Sequence, residues 1–192
     1  MKTNITTDES TFINQHLIDI FNDCFQQSLN TILVDEGNEP IYIPLNDTQK
    51  EHRIYFAHGY FSSALHEIAH WLVAGEKRRQ QQDYGYWYAP DGRDQIQQNE
   101  FEQVEVKPQA IEWILHQCCQ KKFRLSLDNL SLPEQDNRPF ARAVYTQTQH
   151  NFEKGLNNRV QVFCAALMRH YQNPQALEPN LYQLGDLSSA LA

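Results

Sequence analysis

The segment His66-Glu67-Ile68-Ala69-His70 limits the fold of this chain more than any other. Two histidines four residues apart on a helix point the same way, so both imidazoles can reach one metal ion. The Glu between them lies on a neighbouring part of the helix surface, close enough to act on whatever the metal holds. The competing reading makes the two histidines hydrogen-bonded packing residues.

The flanking residues supply such a helix. It begins near Phe61 with Ser62 or Ser63 as cap, stops at Gly75, and packs through Ala64, Leu65, Ile68, Trp71 and Leu72. Upstream, Ser10 caps a helix carrying Ile13, Leu17, Ile20, Phe21, Cys24 and Phe25 as one buried stripe. Thr31 to Val34 and Ile41 to Ile43 read as a hairpin around Glu36-Gly37-Asn38-Glu39, and Arg53 to Ala57 as a further strand. A polar, basic stretch from Glu76 to Gln82 leads into an irregular aromatic run, Tyr84 to Asp94, broken by Gly and Pro. A third long helix covers Gln95 to Gln120, kinked or divided at Pro108. Two more carry Phe140, Val144, Tyr145 and Phe152, then Val160, Phe163, Leu167 and Tyr171; the tail after Pro174 is weakly patterned. The expected fold class is α+β, mainly helical, with a small β-sheet, as a single domain over residues 1–192 with its core at about 10–175.

A length of 192 residues and a 41% hydrophobic fraction suit one packed domain. The net charge of −8 gives no footprint for nucleic acid, would repel an anionic membrane surface, and would attract a cationic partner. Cys24, Cys118, Cys119 and Cys164 contain no C-x-x-C pair and fall on apolar helical faces, which suits reduced, buried thiols. Met1 to Ser10 holds no apolar run of a secretion signal, and no stretch approaches the ~18 apolar residues of a membrane span. A cytoplasmic protein is expected.

Two histidines do not complete a metal site. Glu102 and Glu105, three apart on the following helix, share a face and offer carboxylates. Glu105, among Phe101, Val104 and Ile111, is favoured as ligand, leaving Glu102 to an outer role or to a substrate cation; His52, His58 and Asp94 are rivals. A His-His-Glu set supports two chemistries. With zinc it activates water, and Glu67 is the general base of a peptidase. With ferrous iron it leaves positions for dioxygen and attack on a C–H bond. Other divalent metals, zinc among them, can occupy either site in purified protein. A third possibility is a binding module with a structural metal.

Phe56-Ala57-His58-Gly59, the stretch Ala64 to Trp71, the run YGYWYAPDGRD from Tyr84 to Asp94 and FEQVEVKPQA from Phe101 to Ala110 together resemble the elongation factor P hydroxylase family, over roughly residues 12–175. The resemblance implies a metalloprotease-like scaffold and hydroxylation by dioxygen of a lysine of elongation factor P that already carries β-lysine. It implies His66, His70 and Glu105 as ligands of Fe(2+). The absence of an H-x-D spacing agrees with a scaffold unlike that of the 2-oxoglutarate oxygenases. A β-lysyl-lysine arm is long and cationic, and Tyr84, Tyr86, Trp87, Tyr88, Asp91, Asp94 and Glu102 offer the aromatic walls and carboxylates to hold it. Glu67 would then hold a proton or orient the substrate amine rather than bind metal.

Overall fold

A computed structural model describes residues 7–37, 39–57, 59–86, 95–126 and 137–188. The chain divides into two compact units, residues 1–86 and 87–192. The expected α+β class, mainly helical with a small sheet, holds.

The first unit contains α1 (Thr7–Leu29), β1 (Thr31–Gly37), β2 (Ile41–Ile43), β3 (His52–Ala57) and α2 (Phe61–Val73). Helix α1 starts earlier than expected, so Ser10 lies inside it rather than at its cap. Its apolar stripe buries Leu17, Phe21 and Phe25. Phe21 and Phe25 meet Trp71 of α2 with ring centroids 5.3 and 4.8 Å apart, which locks the two helices together.

The sheet corrects the hairpin expectation. Its order is β1-β3-β2, with β1 parallel and β2 antiparallel to β3. Strand β3 alternates the fully buried Ile54 and Phe56 with half-buried neighbours, so it takes the centre, while β2 is only three residues long. Both outer strands are blocked by side chains. The Leu33 N–H donates to Asn22 Oδ1 at 2.9 Å, and the Tyr42 N–H donates to Asp83 Oδ1 at 2.8 Å. Such caps take backbone donors that would otherwise recruit a further strand.

The turn from β3 into α2 needs a left-handed residue, met by Gly59 at φ +64°, whose carbonyl accepts from Asn14 Nδ2. Tyr60 is the N-cap and makes no side-chain cap bond; Ser63 instead accepts the Ala57 N–H at 3.1 Å, tying the helix to the strand. Gly75 is not the stop either, since α2 ends at Val73 and turns extended at Ala74. The expected packing face of α2 is buried, with Ala69 added to it. His66, Glu67 and His70 are left half-buried on the other side.

The second unit contains α3 (Gln95–Cys118), α4 (Arg138–Lys154), α5 (Asn158–His170) and α6 (Leu184–Ser188). Pro108 lies inside α3 without dividing it. Ala110, Ile111, Trp113, Ile114, Leu115 and Cys118 make its buried face, against which α4 and α5 pack through Phe140, Val144, Phe163 and Leu167. Cys118, Cys119 and Cys164 are buried, Cys24 of α1 is half-buried, and all four are reduced cysteines. The segment after Pro174 is more ordered than its pattern suggested. Tyr182 is fully buried, donates its hydroxyl to the Ala176 carbonyl at 2.6 Å and sits edge-on to Trp113 at 5.1 Å. One aromatic anchor holds a stretch whose periodicity is too short to read. Among the described residues, no helix is long and apolar enough to cross a membrane.

Candidate metal centre

The two histidines of α2 face each other through the same atoms. His66 Nε2 and His70 Nε2 are 3.1 Å apart. Two imidazole nitrogens each about 2.1 Å from one cation, subtending roughly a right or tetrahedral angle, are separated by about 3.0–3.4 Å. The pair therefore fits a shared metal. The carboxylate expected from the sequence to join them, Glu105, lies on α3 in the second unit. Two imidazoles and a carboxylate suit zinc and ferrous iron alike.

Glu105 is 2% exposed, although it is a carboxylate. Burial of that charge is costly unless hydrogen bonds or a cation offset it. One such bond comes from Gln109 Nε2 at 3.2 Å. Gln109 is itself fully buried and doubly tied to Ser126, donating to its carbonyl at 2.7 Å and accepting its N–H at 3.1 Å. This bracket fixes the carboxylate from one turn further along α3. Sequence reasoning missed Gln109, although its i+4 spacing from Glu105 was the available signal.

The other expected site residues fall as follows. Glu67 is half-buried on α2, one position from His66. Glu102 is half-buried and accepts from Gln98 Nε2 at 3.2 Å. His52 is no ligand: its Nδ1 accepts the Leu45 N–H at 3.1 Å and lies 3.0 Å from the Tyr42 hydroxyl. Tyr86 is half-buried beneath the Arg78 guanidinium, 3.9 Å from its ring centroid. Trp87, Tyr88, Asp91, Asp94 and His58 lie outside the described residues.

A second acid, Asp83, stands in the same unit as the histidines. Burial raises its carboxyl above the ordinary range, while the Tyr42 N–H and the charge of His70 pull it back down.

Comparison with known proteins points to one family. Residues 20–182 match the model of a family described as elongation factor P hydroxylase. One curated relative, from Haemophilus influenzae, is named elongation factor P lysine hydroxylase; it is 52% identical over 157 residues, which cover 82% of this chain and 88% of the relative.

Proposed function

The chain belongs to the elongation factor P hydroxylase family, and from that premise we propose that it hydroxylates elongation factor P at a lysine bearing β-lysine. The observation that carries the metal part of the reading is the approach of His66 Nε2 to His70 Nε2 at 3.1 Å, to which Glu105 would add the carboxylate. In this reading the two units, residues 1–86 and 87–192, work as one domain, in the cytoplasm. Neither nucleic acid nor membrane takes part.

His66, His70 and Glu105 would hold ferrous iron, which would supply the activation of dioxygen. The side chains of the protein do the rest. His66 and His70 present Nε2, and Gln109 holds the Glu105 carboxylate that would join them. Glu67 is no ligand and acts beside the reacting carbon, holding a proton on its carboxylate or anchoring the substrate amine. Tyr86, Trp87 and Tyr88 wall the lysyl arm, and Asp91, Asp94 and Glu102 bind its ammonium groups. The charge of −8 steers a basic loop of the partner toward the protein. Tight placement matters here, because an error of about 1 Å can cost on the order of a hundredfold in rate.

The test loads the protein anaerobically with ferrous iron, adds β-lysylated and unmodified elongation factor P with a chemical reductant, admits oxygen, and records intact masses. The β-lysylated factor should gain one oxygen atom and the unmodified factor none. No gain in either, or a shortened chain as a zinc peptidase would leave, overturns the proposal.

A further inference from the structure

Asp83, Tyr84 and Gly85 follow one another with φ of 46°, 59° and 72°. The left-handed region is unfavourable for residues with a side chain, and most of all for bulky ones, so two in succession persist only where neighbours hold them. The restraints are specific. Asp83 Oδ1 accepts the Tyr42 N–H at 2.8 Å, and Arg78 Nη1 donates to the Tyr84 carbonyl at 2.8 Å. Gly85 cannot be replaced cheaply, because its φ of +72° is one that residues with a side chain rarely adopt.

The product of this turn is the position of one ring. Tyr84 is 4% exposed and lies near-parallel to Tyr42, with centroids 4.5 Å apart at 15°. The same ring lies near-parallel to His70, 6.3 Å away at 8°. Tyr42 is anchored in turn, its hydroxyl donating to the Arg79 carbonyl at 2.7 Å. His70, Tyr84 and Tyr42 thus form a series of aligned rings that starts at a histidine of the metal centre.

A ligand imidazole free to rotate loses that freedom when metal binds, and partners outside the ligand shell lower the cost by fixing the ring beforehand. We infer that the Asp83–Tyr84–Gly85 turn is a positioning element of the metal centre, holding the Tyr84 ring against His70 so that Nε2 is set before the ion arrives. This rests on the reading of His70 as a ligand. Burial of an apolar ring alone gives no reason for two strained residues in a row; control of the ring's plane does.

The test titrates anaerobic protein with cobalt(II) against a competing chelator, records the ligand-field absorption, and measures melting of the metal-free protein separately. Tyr84→Phe, which keeps the ring, should match the wild type in affinity and spectrum. Tyr84→Leu, which keeps apolar bulk but loses the plane, should bind about tenfold more weakly with shifted bands. Should Tyr84→Leu not fold, Asp83→Ala removes the anchor of the turn and should weaken binding severalfold. Wild-type affinity and spectrum in a folded Tyr84→Leu or Asp83→Ala protein overturn the inference alone. A wild-type protein that binds no cobalt overturns the ligand reading, and the inference with it.

Discussion

Two helices of this protein each carry a pair of titratable side chains at i, i+4, and the pairs have different fates. On α2, His66 and His70 are half-buried and turn Nε2 toward Nε2 at 3.1 Å. On α3, Glu112 and His116 are both buried and approach at 3.5 Å, with His116 edge-on to Phe123. Glu112 and His116 are enclosed in the core of the second unit, whereas His66 and His70 meet through two nitrogens that can share one ion. Spacing on a helix therefore makes two groups meet but does not decide what they do. A third ligand and an open side make a metal site, whereas apolar surroundings make a core polar pair.

This contrast can be broken by experiment. The largest effect is expected from His66→Ala, which should lower metal affinity by more than about a hundredfold, beyond the range seen when only an outer partner is lost. Hydroxylation should fall to background in the intact-mass assay. Glu67→Gln should keep the metal, read by metal analysis, and slow product formation by about a hundredfold to ten-thousandfold. On the other helix the pattern inverts. His116→Leu should cost about 3 kcal/mol of stability in denaturant titration, because it removes the partner of a buried carboxylate. Its metal affinity should stay within about twofold of wild type, since no ligand is touched.

The smallest effect concerns pH. Burial, helped by the charge of Arg79, holds His52 below the ordinary histidine value. The folded protein then binds that proton less tightly than the unfolded chain. Stability is full above about 6.5, the unfolded value, and is lost as pH falls through it toward the folded value. His52→Gln should flatten this decline in thermal melts taken between pH 7 and pH 5.

Local features were readable in the sequence where they depend on neighbours a few residues away. The α2 packing face follows from periodicity, and its burial forces His66 and His70 onto the other side. Features settled by distant partners were not readable. Val34 and Ile41 are near in sequence, yet β1 and β2 both pair with β3, because only β3 can fill the centre of the sheet. Ser63 resembles a cap but is drawn away by the Ala57 N–H. Sequence favoured Glu105 over Glu102 on local apolar company; the bracket of Gln109 and Ser126 that fixes it depends on a contact 17 residues along the chain. The left-handed turn at Asp83 and Tyr84 carries little sequence signature, since Asp tolerates that region but a bulky Tyr does not favour it.

The most direct measurement of the central claim is the stoichiometry of anaerobic ferrous iron binding in the wild type, Glu105→Ala and Glu102→Ala. One ion per chain in the wild type and in Glu102→Ala, with binding severely weakened in Glu105→Ala, is the predicted result. An unchanged ion in Glu105→Ala, or no tightly held ion in the wild type, would contradict a centre built from His66, His70 and Glu105.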